Sequence, residues 1–344
     1  MSNDLPSREI HRWPAEWEPH CATWLSWPHN RDTWPGAFAN ALVEYEEFAK
    51  TIARFEPVNI VASGEALRHA EKTMKGFSNV AFFEIPTNDA WIRDHGPIFL
   101  ANSNHAITDQ GQVTLVDFEY NGWGGKYPPF DDDNLVPKKI AEQLGCDRIE
   151  APFVLEGGAI DGNGSGIVLS TRSCLFNTNR NPKWNEDEIE RLLREFLLVD
   201  HVLWLGGEIA GDDTDGHVDQ IARFVSEDTI LYSSNGESPG LEANGRLIDE
   251  FSARTGIKLN AMRIPMPQPR LFHDAPVPMS YANFYILNEA VIVPEFGDAN
   301  DETAREIIAE FFPSRQIILK RASSIAIGLG AFHCLTQQQP VLQK

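Results

Sequence analysis

Short runs of β-branched and aromatic residues recur along the chain at VNIVA from Val58, VAFFEI from Val80, VTLVDF from Val113, GIVLST from Gly166, HVLWL from His201, TILYSS from Thr229, NFYIL from Asn283 followed by AVIVP, and RQIILK from Arg315. Their length and composition predict strands. Between them the apolar period changes to that of a helix. From Asn185 to Leu197, the residues Ile189, Leu192, Leu193, Phe196 and Leu197 fall on one helical stripe, and Asn185 with Glu188 three residues on forms a capping signature. Ala304, Ile307, Ile308 and Phe311 mark a second helix from about Asp301 to Phe312, stopped by Pro313. Further helices are expected near 38–55, 64–76, 134–145 and 240–255. Strand and helix therefore alternate from end to end with no linker or low-complexity tract, which predicts one α/β domain over residues 1–344. A helix and strand pair returns every fifty to seventy residues, a hint of a repeated unit without visible self-similarity.

Composition narrows the function classes. The formal net charge of −21 argues against a nucleic-acid or anionic-membrane surface, both of which need clustered Lys and Arg. It suits a cationic small molecule, although acidic surfaces commonly serve solubility alone. Charges and prolines in MSNDLPSREIHRWPAEWEPH stand where a secretory signal needs an apolar segment, and no window is apolar enough to span a membrane, so a cytoplasmic protein is expected. Cys21, Cys146, Cys174 and Cys334 are far apart and form no CxxC pair, so neither a disulfide framework nor a thiolate zinc knuckle is suggested.

Four segments embed polar residues in apolar or glycine-rich surroundings: NDAWIRDHGPIF, FVLEGGAIDGNGSG, DDTDGHVDQIARF and GLGAFHCLTQQQP. In the first, Asp94 is expected where a loop meets the strand PIFLA; an Arg93 to Asp94 salt bridge is the plainer reading. In the second, Glu156 comes directly off an apolar run and should be paired or perturbed, because a buried carboxylate alone is costly. GNGSG reads as a hairpin turn. In the third, His217 and Asp219 two residues apart would share one face of a strand. In the fourth, Gly328 and Gly330 would let backbone approach a ligand closely, with Cys334 beside His333. Each signal alone has a bland explanation; together they offer a thiol, an imidazole and three carboxylates from four separate segments.

Carboxylates beside a cysteine raise its pKa, which is a poor arrangement for a protease but a sensible one for a cationic substrate. A guanidinium is planar, permanently charged and matched to carboxylates by its forked N–H donors. The segments DAWIRDHGP, LEGGAID, GHVDQIARF and GLGAFHCLTQQQP resemble the signature blocks of the agmatine deiminase and bacterial-type peptidylarginine deiminase family within the guanidino-group modifying superfamily, as do the opening RWPAEWEPHCATWLSWP and the later YANFYILNEAVIVPEFGDANDE. The match runs from about residue 12 to 340. It implies a pentein fold, a five-bladed pseudosymmetric α/β propeller of ββαβ-type units around a central site.

Residue by residue, the resemblance implies Cys334 as nucleophile and His217 as acid and base. Asp94 and Asp219 would grip the guanidinium, Glu156 would orient His217 or add a carboxylate, and Trp91 would line the substrate. It implies no metal and no organic cofactor, and a hydrolase of putrescine biosynthesis that converts agmatine to N-carbamoylputrescine and ammonia through a covalent amidino-thioether. Two departures bear on the substrate tail. GLGAFHC replaces the usual Gly-Gly-Gly-Asn-Ile-His-Cys, and Arg223 stands where a small residue is common. An acidic lining from Asp212, Asp213 or Asp215 would favour the amine of agmatine. Peptidylarginine or free arginine as substrate is the alternative, and a homo-oligomer is left open. Rivals of other classes are a metal-dependent hydrolase using His95, His217, Asp219 and His333, a nucleotide-binding protein resting on GLGAFH, and an inactive binding module. The spacing fits none of the known metal or phosphate motifs.

Overall fold

A computed structural model of the protein describes residues 5–103 and 113–341. Five of the sheets share one pairing scheme, the exception being the two-stranded pair Leu271–Phe272 and Ala275–Pro276. Ile98–Asn102 pairs antiparallel with Val113–Glu119, which pairs parallel with Asp147–Val154. The same order, antiparallel then parallel, joins Ile160–Gly162, Ile167–Thr171 and His201–Leu205; Ala222–Ser226, Thr229–Ser234 and Asn260–Pro265; and Tyr285–Ile286, Ala290–Glu295 and Gln316–Arg321. In a fifth sheet the closing strand Thr336–Pro340 pairs antiparallel with His20–Ser26, which runs parallel to Val58–Ala62. A parallel partner requires a crossover, and in each of the five a helix supplies it: Val136–Leu144, Glu186–Leu197, Asn244–Thr255, Asp301–Phe311 and Phe38–Ile52.

The expected helices are all present, and the expected capping box at Asn185 and Glu188 forms in both directions. Ile189, Leu192, Leu193, Phe196 and Leu197 are buried, so the stripe read from the sequence is the packed face. The GNGSG segment is the expected hairpin: Asn163 Oδ1 accepts from Ser165 N and Ile167 N between two antiparallel strands. Two readings change. His217 and Asp219 do not lie on a strand; His217 caps the one-turn helix Val218–Ile221, with the strand starting only at Ala222. NFYIL yields strand only at Tyr285–Ile286, because Tyr281–Asn283 is a 3-10 turn. No helix among the described residues is long and apolar enough to cross a membrane.

One position recurs in all five sheets. Immediately before the first strand of each lies a short helical turn or loop, and these hold Asp94 (Ile92–His95), Gly158 (Gly157–Ala159), Asp219 (Val218–Ile221), Asn283 (Tyr281–Asn283) and Cys334 (just before Thr336). The architecture thus delivers five separated segments to equivalent places.

Candidate active site

The loop that carries Cys334 is pinned from several sides. Phe332 stacks on Phe48 at 4.2 Å between ring centroids, which anchors the loop in the core. Asn283 Oδ1 accepts from Ala331 N (3.2 Å) and Cys334 N (3.3 Å), and Asn283 O accepts from His333 N (3.2 Å). The Asn283 amide also donates to Cys334 Sγ at 3.1 Å. Gly328 and Gly330 do leave room, but for two indoles: a Cβ on Gly330 would lie 2.7 Å from the Trp91 ring, and one on Gly328 would lie 2.4 Å from Trp34 Nε1.

The acidic groups and the imidazole converge on the same place. The Cys334 thiol donates to Asp219 Oδ2 at 3.3 Å, and the same oxygen lies 2.7 Å from His333 Nδ1. Asp94 accepts from Gly158 N and Trp123 Nε1, each at 3.0 Å, and its Oδ1 stands 3.6 Å from His217 Nδ1. Gly158 sits at the centre: a Cβ there would be 2.6 Å from His217 Nδ1, 2.7 Å from Asp94 Oδ1 and 3.2 Å from Asp219 Oδ2. The structure therefore brings Cys334, His217, Asp94 and Asp219 together, all of them buried.

Glu156 is the third carboxylate, but its main partner is one the sequence did not reveal. Its Oε1 takes Arg180 Nε at 2.5 Å in a fully buried pair, while Oε2 has no hydrogen-bond partner among the described residues. The expected Arg93 to Asp94 bridge does not form; Arg93 turns to Glu16, at 3.4 Å. Asp213 lines the mouth of the cavity but is engaged by Lys126 Nζ (3.1 Å) and the Tyr127 hydroxyl (2.5 Å). Asp212 turns into its own loop, accepting from Thr214 and Gly216, and Asp215 pairs with Lys126 and Arg180. Of the three acids read as a lining, only Asp213 faces the cavity.

Burial dominates the electrostatics. It pushes the Cys334 thiol well above its ordinary value, and the charges of Asp219 and Asp94 push it further. Burial also raises Asp94; His217 opposes this and Asp219 adds to it. Asp219 behaves differently. Burial acts to raise it, yet the hydrogen bond and charge of His333 outweigh that and hold it below the usual carboxylate range. The two acids facing the thiol are thus set apart by what stands behind them.

Trp91, Trp123, Asp94 and Cys334 belong to the wall of a cavity of about 990 Å³ that also carries Asp32, Asp89 and Asp213. Among the described residues, the donor set close enough to hold a metal ion is Glu156, Cys174 and His217, with ligand atoms within 4.8 Å of one another. The Arg180 guanidinium already neutralises Glu156 there, which works against a second cation. His95, His217, Asp219 and His333 form no such set: both nitrogens of His333 face carboxylates, and His95 stands 3.8 Å from Asp133. Sequence reasoning missed Glu16, Asn283, Trp123, Gly158 and Arg180. The Gly-Gly pair after Glu156 was the one visible signal among them.

The α/β fold thus gathers a cysteine, a histidine and paired aspartates around a side-chain-free glycine. The family described as Porphyromonas-type peptidyl-arginine deiminase matches residues 12–340, and the chain belongs to it. It is 36% identical to the agmatine deiminase of Pseudomonas aeruginosa (strain UCBPP-PA14) over 377 aligned positions, covering 100% of both chains. The solved agmatine deiminase of Enterococcus faecalis superimposes with a TM-score of 0.90 at 30% identity, covering 99% of each chain. An amidinotransferase from Microseira wollei, at 12% identity and a TM-score of 0.56 over 97% of this chain and 99% of its own, shares the fold alone.

Proposed function

We propose that the protein hydrolyses the guanidinium group of agmatine to N-carbamoylputrescine and ammonia. The observation that carries this reading is the placement of Asp94 Oδ1, Asp219 Oδ2 and His217 Nδ1 around Gly158, with the Cys334 thiol 3.3 Å from Asp219. Two carboxylates can hold a guanidinium through its N–H groups, and the absence of a Cβ on Gly158 leaves its flat face room beside them.

In the first half-reaction the Cys334 thiol passes its proton to His217 as the sulfur adds to the guanidinium carbon. His217 delivers that proton to the departing nitrogen, the C–N bond breaks and ammonia leaves, giving an amidino-thioether. In the second, His217 takes a proton from water, which adds to the same carbon. The C–S bond breaks, the ureido product leaves and the proton returns to sulfur. The resting thiol is protonated, so the bound cation supplies the charge that favours the thiolate when substrate is in place.

Agmatine is favoured over arginine by the cavity wall. Asp32, Asp89 and Asp213 are acidic, and the described lining residues include no Lys or Arg to pair an α-carboxylate. The names of the curated relatives point the same way, whereas the family's name points to peptidyl arginine. The five sheets with one pairing scheme and five site segments at equivalent positions support reading the fold as a five-bladed α/β propeller closed by Thr336–Pro340 against His20–Ser26. Ammonia release by the purified protein from agmatine, free arginine and an arginyl peptide, with Cys334→Ser as control, tests the assignment. Turnover of the peptide alone overturns it.

A further inference from the structure

Glu16 contributes nothing to the proposed reaction as written, yet it is among the most heavily engaged groups in the protein. Its Oε2 lies 2.9 Å from His333 Nε2, 2.8 Å from Arg223 and 3.4 Å from Arg93, and its Oε1 accepts from Ile286 N at 2.9 Å. Burial acts to raise its pKa, but the charges of Arg223, His333 and Arg93 hold it well below the carboxylate range. On the other side of the ring, His333 Nδ1 lies 2.7 Å from Asp219 Oδ2. His333 is therefore clamped between two buried carboxylates.

A neutral imidazole donates from one nitrogen and presents a lone pair on the other. Here each nitrogen faces an oxygen of a carboxylate that the surrounding cations keep ionised, so both must donate. That is the imidazolium. Charge balance agrees: Glu16, Asp161 and Asp219 face Arg93 and Arg223 in this layer, with Arg223 Nε 3.2 Å from Asp161, and a third cation closes the deficit.

We propose that Glu16 and His333 are positioning residues of the active site, the Glu16-held imidazolium fixing one oxygen of Asp219 so that the other faces the substrate. This rests on the agmatine reading above. Asp219 Oδ2 is committed to His333 and the thiol, whereas Oδ1 is buried without a hydrogen-bond partner among the described residues. A guanidinium N–H is the donor that would satisfy it. Arg93 extends the clamp to the backbone, donating from Nε to His333 O at 3.2 Å, one residue before the nucleophile. The departure at Arg223 finds its use here, as the cation that keeps Glu16 charged.

The groups facing Asp219 are His333 and Cys334 from the closing loop, Asp94 from its turn, His217 from its own segment and Arg223 from the following strand. In the wild type Asp94 stays above its ordinary value and Asp219 below. Ionisation of Asp94, together with that of Asp89 in the cavity wall, thus shapes the acid limb of kcat/KM. Removing the imidazolium raises Asp219 as well, so the limb should steepen and move to higher pH.

The test compares wild type, His333→Gln and Glu16→Gln for agmatine kcat/KM from pH 5 to 9, beside thermal unfolding. Both variants should lose about tenfold to a hundredfold in kcat/KM, chiefly through KM, as expected for a hydrogen bond to a charged group. Their acid limbs should shift upward, and their labelling of Cys334 by a haloacetamidine should lose its preference over the neutral haloacetamide. A wild type without agmatine turnover refutes the substrate reading instead. With an active wild type, variants whose acid limb stays in place overturn the positioning role. So does failure of both variants to fold, which would make the clamp structural only; if one fails, the other decides.

Discussion

His217 Nδ1 stands 3.6 Å from Asp94 Oδ1, just outside hydrogen-bonding range, and neither ring nitrogen of His217 has a hydrogen-bond partner among the described residues. The contrast with His333, whose two nitrogens are both engaged, separates the two histidines of the site by role. One is fixed; the other is free to carry a proton. His217→Asn should therefore lower agmatine kcat by about 10²–10⁴, the usual contribution of a positioned acid and base, with the fold retained by circular dichroism.

The Cys334 thiol, raised by burial and by Asp219 and Asp94, should react sluggishly with neutral alkylating agents. A cationic haloacetamidine brings its own charge to the two aspartates and should label Cys334 much faster than iodoacetamide does, with agmatine protecting. Peptide mapping would show where the adduct falls. Equal rates for the two reagents would contradict the proposed thiolate activation.

Gly158→Ala places a methyl group where Asp94, His217 and Asp219 converge. Overpacking of this kind costs about 1–3 kcal/mol of stability, while a displacement near 1 Å among reacting groups can cost about 10²-fold in rate. Activity should fall far more than the unfolding midpoint. A variant with wild-type kcat/KM would mean that the substrate does not occupy this position.

Asp89 lies in the cavity wall, accepting from the Thr33 hydroxyl (2.8 Å) and Ala90 N (2.7 Å), and burial pushes its carboxyl up to about 7. Below that pH it is neutral; above it, a carboxylate able to attract the far ammonium of agmatine. KM should fall as pH rises from about 6 to 8, and Asp89→Asn should flatten the trend. The stability sign is opposite: the folded state holds this proton more tightly than the unfolded chain, so Asp89 weakens the fold as pH rises from about 4 to 7. Urea midpoints of the two proteins at pH 5 and 8 measure that second effect.

Arg180 and Glu156 form a pair with both side chains fully buried. Arg180→Met strands the carboxylate and should cost about 3–5 kcal/mol in urea unfolding. Adding Glu156→Gln should recover much of it, since the buried charge is then gone. Strict additivity of the two substitutions would show that the pair is not coupled.

How much of this was legible depended on whether a residue's role is local. The helix at Glu186–Leu197 was readable because its stripe and its Asn185 cap lie within thirteen residues of one another. Cys334, His217, Asp94 and Asp219 stood out as candidates because each sits in a polar island within apolar sequence, while the roles expected of them came from the family resemblance. His217 and Asp219 were nevertheless placed on a strand, because HVDQIARF has the apolar content of one, whereas Val218–Ile221 forms a one-turn helix with all four residues buried, a case of tertiary context overriding local pattern. Glu16 was invisible: one of two glutamates among tryptophans and prolines, with its imidazole partner 317 residues away. Arg180, in an unremarked NRNP turn, was hidden for the same reason.

Because the antiparallel seam between Thr336–Pro340 and His20–Ser26 pairs the strand that follows Cys334 with one near the other end of the described chain, the four sheets between them hold the acids and His217 without the nucleophile. That seam is what brings the thiol to them, so loosening it should cost turnover while the other four sheets keep their pairing.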